Sequence, residues 1–400
     1  MVDIGIRVNE VARLFRHLSH NGLMKRYLTE NIEKDLPHKI VLLSGPRQSG
    51  KTTLAKQFRN NYDYFNYDLA EDRHALQKKR WNRAKPLIIF DELHKMRFWK
   101  RWLKGIYDTE GIPPEILVTG NAKMNVYRRV GDSLAGRYFS YTLHPLDLKE
   151  AKRYDHLDEQ EIFERLWRCS GFPEPFLSGS ETFYKRWRQS HLDIILRQDL
   201  IDLHAVRDIK AIETLVLLLK EHIGKTVSYA NLARDLDRDA NTIKRWLQLL
   251  EELYIIYRVT PYYNLARSIR KEPKYFFYDH VYAENDHGAK LENLVANGLF
   301  KELHYLRDTR GIKTSLHFLR TKDGKEVDFL TCLDDKPSHL IEVKSADETP
   351  AHHLKYFSKW FPTAKKIQLV KTLRRESTSL DGIEIRKLIP WLANLDLSRK

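Results

Sequence analysis

Cys169 and Cys332 are the only thiols in 400 residues, which excludes a disulfide framework and any thiolate-rich zinc site. An unbroken apolar run is missing as well. Arg7, Glu10, Arg13 and Arg16 interrupt the first residues, so neither a signal peptide nor a membrane span is expected. No internal repeat or low-complexity linker stands out, and a reducing, cytoplasmic setting is the expectation. Acidic side chains are in deficit, with 54 Asp and Glu against 69 Lys and Arg, a formal net charge of +15. A surface of that sign attracts phosphate polyanions whatever their sequence. DNA is therefore the expected partner. The competing reading is a solvated basic surface, and accompanying nucleic-acid modules would decide between the two.

What is present is globular in character. A hydrophobic fraction of 42% beside 31% charged residues argues against wholesale disorder, and the length exceeds what one core usually serves. Val8, Val11, Leu14 and Phe15 give helical spacing to residues 8–33, and Pro37 closes that segment. Three apolar runs follow, IVLLS at 40–44, LIIF at 87–90 and EILVTGN at 115–121. Each ends in small or polar residues, as buried parallel strands do. The intervals have room for crossover helices, which predicts an α/β sheet with its site at the carboxyl ends of the strands.

The segment Gly45, Pro46, Arg47, Gln48, Ser49, Gly50, Lys51, Thr52 satisfies GxxxxGK[ST], and it stands after an apolar strand and before the helical TLAKQF, as that pattern requires. Its glycines let backbone N–H groups face phosphates. Lys51 is placed to reach the β and γ phosphates of ATP. Thr52 offers a hydroxyl to Mg²⁺, and Thr53 completes the nucleotide-binding set. Asp91-Glu92 ends the second apolar run: Asp91 would hold the metal through water and Glu92 would activate the attacking water. Asn121 ends the third run and is either a γ-phosphate sensor or a turn residue. Arg137 precedes the next strand, YFSYTL. AAA-type ATPases often carry at that place an arginine that enters a neighbouring subunit's site, and Arg128 and Arg129 are its rivals here. Any of them acting in trans requires a homo-oligomer, such as a hexameric ring.

Further on, GFPEP at 171–175 interrupts a helical stretch that includes Trp167, Trp187, Leu192 and Ile195. Three helical segments between 212 and 253, then IIYRV and KYFFYD, describe a winged helix. In its third helix Ile243, Trp246, Leu247 and Leu250 mark the core face. That leaves Asn241, Thr242, Lys244, Arg245 and Gln248 outward, residue types that contact phosphates and base edges. Arg267, Arg270, Lys271 and Lys274 would make a basic wing. Such a module can also bind protein. The last segment reads helix, three strands, helix, strand. Glu342 and Lys344 share a strand face there, Asp328 lies on the preceding strand, and Glu292 on the helix before. Order and spacing resemble the αβββαβ core of PD-(D/E)XK nucleases. That resemblance implies carboxylates around Mg²⁺ and a lysine near the attacking water, or an inactive scaffold.

Taken together, GPRQSGKTTL at 45–54, IIFDELHK at 88–95, GDSLAGRY at 131–138, GFPE at 171–174, KYFFYD at 274–279, KLEN at 290–293, EVDF and IEVK resemble a prokaryotic AAA-type ATPase family. Its C-terminal region looks like a winged helix plus a PD-(D/E)XK-like fold. The implied organisation is an N-terminal helical segment (1–37), a P-loop AAA-type core (38–150), a helical lid (151–210), a winged helix (211–282) and a nuclease-like α/β domain (283–400). Asn121 stands where the family often has Ser, and HVYAEN follows Asp279 in place of a small-residue turn. The resemblance implies ATP hydrolysis with Mg²⁺. Two functions stay open: a DNA translocase or remodeller, and an ATP-switched DNA- or protein-binding regulator.

Overall fold

The computed structural model describes residues 25–121, 134–153, 157–199, 208–262, 272–347 and 349–398. Within them the chain begins with α1 (Thr29–Asp35), held down by Leu28, Ile32 and Leu36, which are fully buried at four-residue spacing. The P-loop segment follows: β1 (Ile40–Ser44), α2 (Lys51–Ala55), β2 (Tyr62–Asn66), α3 (Ala70–Gln77), β3 (Leu87–Asp91), α4 (Trp99–Glu110), β4 (Glu115–Gly120) and β5 (Tyr138–Thr142). The strands form one sheet in the order β2-β3-β4-β1-β5, with every pairing parallel. Its inner strands are apolar without alternation because both faces are covered. Trp81, Phe90 and Trp102 pack edge-on against one another on one face, and Leu28, Ile32, Val41 and Leu117 share a core on the other. The topology leaves a crevice at the carboxyl end of β1, where neighbouring crossovers diverge. Strand β2 was not anticipated. Its sequence YDYFN is half-buried at every position, because an edge strand meets the core on one side only.

Helices α5 (Leu148–Ala151), α6 (Glu159–Cys169), α7 (Pro173–Ser178) and α8 (Glu181–Ile194) come next, with Asp158 and Ser180 capping α6 and α8 through side-chain oxygens. Then follow α9 (Ile209–Lys220), α10 (Tyr229–Asp235), α11 (Ala240–Glu252) and the antiparallel pair β6 (Ile256–Pro261) and β7 (Lys274–Phe277). Ile243, Trp246, Leu247 and Leu250 of α11 are buried, as their spacing predicts. Helices α5 to α8 do not share the core of the parallel sheet. Phe163, Phe172 and Trp187 belong to one apolar cluster with α9, α11 and the C-terminal strands.

The C-terminal part runs α12 (His287–Arg310), β8 (Thr314–Arg320), β9 (Glu326–Leu333), β10 (Lys336–Lys344), α13 (His352–Ser358) and β11 (Lys365–Val370). This is the expected αβββαβ order. Asp334 and Asp335 turn β9 into β10 with φ of 48° and 62°, as a two-residue hairpin of the primed type requires. Three elements beyond it were not anticipated: β12 (Ser377–Thr378), β13 (Ile383–Lys387) and α14 (Leu388–Ala393). Nor was the joining of sheets. Thr260 and Pro261 of β6 pair with His317 and Phe318 of β8, so the β6–β7 hairpin ends an eight-stranded sheet.

A buried ionic cluster ties these parts together. The Arg26 guanidinium donates to Glu150 Oε1 at 2.6 Å, to the Ser49 carbonyl at 2.6 Å and to the His144 carbonyl at 2.7 Å. Lys301 of α12 reaches Glu150 Oε2 at 2.6 Å and Asp147 at 2.9 Å. Burial alone would raise the Glu150 pKa, but Arg26 and Lys301 hold it down at about 2. Replacing Glu150 with Ala removes the carboxylate that Arg26 and Lys301 share, although Lys301 keeps Asp147, and removal of one partner from such a group costs about 3–5 kcal/mol. Glu150→Ala should lower the urea midpoint accordingly. An unchanged midpoint would mean that the cluster does not hold the parts together.

Candidate nucleotide site and its neighbours

The P-loop leaves β1 at Ser44 and folds back tightly. A Cβ on Gly45 would meet the Leu143 carbonyl oxygen at 2.3 Å, and Gly50, at φ +93°, lies in the left-handed region that favours glycine. Gln48 has φ +60° as well. The loop thus turns its backbone inward over α2. Lys51 donates to the Gly45 and Pro46 carbonyls at 3.0 and 2.6 Å, so its ammonium is already inside the loop. Thr52 Oγ1 donates to Asp91 Oδ2 at 2.9 Å. Arg47 and Thr53 flank this arrangement, and among the described residues the buried Ser49 hydroxyl has no hydrogen-bond partner. Oxygen donors beside a lysine, with an orphaned hydroxyl in the loop, fit a magnesium-bound polyphosphate.

Asp91 is held from several sides. Tyr64 Oη donates to Oδ2 at 2.6 Å, the Glu92 N–H donates to Oδ1 at 3.1 Å, and Thr119 Oγ1 donates to Oδ1. Burial and the neighbouring Asp91 raise the Tyr64 pKa and keep the phenol a donor. Glu92 follows at φ +55°, a backbone uncommon for a non-glycine residue. Burial raises its pKa to about 7, with Lys51 opposing and Asp91 adding to the shift. Asn121 Nδ2 donates to Glu92 Oε1. Among the described residues the buried Glu92 Oε2 has no hydrogen bond, and His94 Nδ1 stands 3.6 Å from it. Burial lowers the His94 pKa to about 4, which leaves that imidazole neutral.

Arg137 lies elsewhere. Ile40 pairs with Tyr138, so Arg137 stands at the amino end of β5 and the P-loop at the carboxyl end of β1. The intervening strand spans roughly 16 Å at about 3.3 Å per residue. Its guanidinium holds Asp108 of α4 through two contacts, at 2.6 and 3.2 Å. Arg128 and Arg129 lie outside the described residues. Four contributors to this region carried no sequence signal that was read: Tyr64, Thr119, His94 and Arg26. Thr119 was findable, being the polar side chain within the buried stretch Ile116–Gly120. From α8, His191 Nε2 lies 3.2 Å from the Arg47 carbonyl, and Tyr254 Oη, just after α11, donates to Ser44 Oγ at 2.8 Å.

On α11, Asn241, Lys244, Arg245 and Gln248 are exposed and Thr242 is half-buried. The Thr242 hydroxyl donates to the capping Asp239 at 2.6 Å. Arg267, Arg270 and Lys271 lie outside the described residues. Lys274 corrects the expectation of a basic wing: it is 1% exposed, with its ammonium 2.9 Å from Glu292 and 2.6 Å from Glu326. Flanked by the apolar Tyr275 and Phe276 in a strand against α12, it is a buried counter-ion and has no surface to offer DNA.

Of the C-terminal acids, Glu292 and Glu326 hold that lysine and Asp328 acts on it, while Glu342 has its own lysine. Glu292 pairs with Lys274, Asp328 Oδ2 accepts the Val343 N–H at 2.8 Å, and Lys344 meets Glu342 at 2.7 Å. Burial raises Glu292 to about 8, with Lys274 opposing and Asp328 adding to the rise. Burial and Asp328 raise Glu342 to about 7. Among the described residues no three His, Cys, Asp or Glu side chains converge in metal-holding geometry.

Residues 37–152, the parallel-sheet part, match the family profile of an AAA domain. Residues 160–283 and 287–391 match two further profiles, each described as a domain of unknown function (DUF8612 and DUF4143). An uncharacterized protein of Haemophilus influenzae is 24% identical over 404 residues, covering 92% of this chain and 98% of its own length. One of Methanocaldococcus jannaschii is 26% identical over 357 residues, covering 80% of this chain and 77% of its own. Among solved structures, a RuvB variant of Thermotoga maritima aligns over 60% of this chain and 89% of its own, with a TM-score of 0.33 and 18% identity. A DNA replication initiation factor aligns over 56% and 86%, with a TM-score of 0.29 and 15% identity. No helix among the described residues is long and apolar enough to cross a membrane.

The raised carboxyls have a sign that can be measured. A group whose pKa rises on folding binds more protons in the native state, so stability falls as pH climbs from the unfolded value toward the folded one. For Glu292 that window runs from 4.5 to about 8. Buried histidines such as His94 and His191, lowered to about 4, act in the opposite sense below 6.5. Between roughly pH 6.5 and 8 the carboxyl effect should therefore dominate, and the denaturation midpoint should fall. Glu292→Gln should flatten that fall. Equal slopes for variant and wild type would show that Glu292 is not proton-linked to folding.

Proposed function

We propose that this chain is an ATP-hydrolysing, oligomeric AAA-type motor that works on DNA, with Mg²⁺ as the cofactor of the nucleotide. The observation that carries the reading is the pair Asp91–Glu92: one carboxylate bonded to the Thr52 hydroxyl, the other buried beside Lys51 with its pKa raised to about 7. Residues 38–150 would form the hydrolytic core, 151–210 its lid, 211–282 a winged helix and 283–400 a nuclease-like domain.

Magnesium would supply charge neutralisation at the phosphates when bound, held by Thr52 and, through water, by Asp91. Lys51 would exchange its loop carbonyls for phosphate oxygens. Glu92, with a proton affinity suited to neutral pH, would accept a proton from water at Oε2, while Asn121 fixes Oε1. Arg137 lies at the far end of its own sheet, so a role at ATP requires a second copy of the chain. Lys51→Ala should abolish nucleotide binding, whereas Glu92→Gln should bind ATP without turning it over. Arg137→Ala should bind ATP but lose most turnover, since an arginine reaching the γ-phosphate stabilises the transition state. Adding Glu92→Gln subunits to it should restore activity, measured as phosphate release. Mixed oligomers with no recovered activity would remove the trans role.

DNA contact is proposed for α11 through Asn241, Thr242, Lys244, Arg245 and Gln248, supported by the exposure of all but the half-buried Thr242 and by the net charge. For the C-terminal domain a scaffold is favoured over a nuclease, because Lys274 stands between Glu292 and Glu326 where a cation would be wanted, and Lys344 is engaged by Glu342. Wild type and Asp328→Ala should both leave linear, branched and single-stranded DNA uncut in Mg²⁺ or Mn²⁺ while hydrolysing ATP alike. Metal-dependent nicking by wild type that Asp328→Ala abolishes would reinstate the nuclease.

A further inference from the structure

The loops that leave the carboxyl ends of the neighbouring strands β2 and β3 form a rim beside the nucleotide site. The first carries Leu69, 55% exposed, and the second carries Phe98, 58% exposed. An ion pair of 2.7 Å between Lys95 and Asp68 ties one loop to the other and offsets the charge of Asp68. Phe98 has φ +62° and ψ +24°. Such a backbone is a genuine outlier for a bulky residue and carries a steric cost. Strain of this kind, kept where it exposes a ring that could have been buried, points to a use for the ring. The guanidinium carbons of Arg97 and Arg101 lie 4.8 and 5.7 Å from the ring centroid. Both arginines are exposed, and among the described residues neither is paired with a carboxylate.

We propose that this rim is a contact for single-stranded nucleic acid, in which a base stacks on Phe98 and the flanking phosphates meet Arg97 and Arg101. Aromatic rings and guanidinium planes are both surfaces on which unpaired bases stack, and a cation beside the ring meets the phosphate that follows each base. An acidic peptide would satisfy the arginines and leave the phenyl ring in water, so the combination favours a polynucleotide. The contact rests on the nucleic-acid reading of the motor, and it adds a place for the strand distinct from α11. It also adds a route to hydrolysis: only residues 93–97 separate Phe98 from Glu92, and the Lys95 N–H is bonded to the Glu92 carbonyl at 3.1 Å.

The test is fluorescence anisotropy of labelled oligothymidylate and oligouridylate with the full chain, its folding monitored by thermal melting. Phe98→Ala should weaken binding by roughly tenfold, the scale of losing one base–aromatic stack. Phe98→Trp should restore it, and the pair Arg97→Ala with Arg101→Ala should give a shallower dependence on salt. The oligothymidylate and oligouridylate arms tell DNA from RNA. Unchanged affinity in a folded Phe98→Ala protein would overturn the contact, as would failure of Trp to restore binding. Loss confined to Lys244→Ala with Arg245→Ala would overturn it while keeping the nucleic-acid reading. No binding of either oligonucleotide by wild type would overturn both. Displacement by polyglutamate as effective as by oligothymidylate would reassign the rim to an acidic polypeptide.

Discussion

One buried carboxylate, Glu150, joins the nucleotide loop to the C-terminal sheet. Its two oxygens are shared between Arg26, which grips the Ser49 carbonyl of the P-loop, and Lys301, which belongs to α12. At 1% exposure it cannot be replaced by water. Ion pairs in such surroundings rarely gain much over an apolar core, but they tolerate few alternative geometries, since every misplacement leaves a charge without its partner. Three further contacts repeat the same connection from other elements: Tyr254 to Ser44, His191 to the Arg47 carbonyl, and the Thr142 N–H to the Asp308 carboxyl. The strand ends around the phosphate site are therefore shaped by residues more than a hundred positions downstream.

Features set by local chemistry were legible in the sequence. Continuous apolar runs became β1, β3 and β4 because a doubly covered sheet needs no alternation, and the turn Asp334-Asp335 gave its hairpin because two adjacent acidic residues tolerate positive φ. The spacing of Ile243, Trp246, Leu247 and Leu250 gave the buried face of α11. What could not be read depends on distant pairing. Strand β2 has mixed polarity because one of its edges has no neighbouring strand, and β12, β13 and α14 are short elements after the recognised core. Lys274 looked like a wing residue because it follows a basic loop, yet its environment is decided by Glu292 and Glu326, which the sequence gives no reason to set against it. The Asp91 cradle was half legible: Thr52 came with its motif, whereas Tyr64 arrived from the strand that had been missed.

The acids of the C-terminal sheet illustrate how one set of residues can answer two demands. A carboxylate beside a lysine and a carboxylate beside a divalent ion satisfy the same electrostatic need, so the ammonium of Lys274 competes with any metal for Glu292. Burial makes that competition sharper. Each negative charge kept there without a counter-ion is expensive, and the raised proton affinities of Glu292 and Glu342 express that cost. A proton, a lysine or a cation can each neutralise these sites.

The pairing of β6 with β8 has a mechanical meaning. Because Thr260 and Pro261 are hydrogen-bonded into the same sheet as β10 and β11, helix α11 and the acidic cluster of α12 ride on one stiff plate. Torque delivered to that plate through Tyr254 or Lys301 would swing both as a single arm, so α11 and the C-terminal strands would keep a fixed distance as the plate turns.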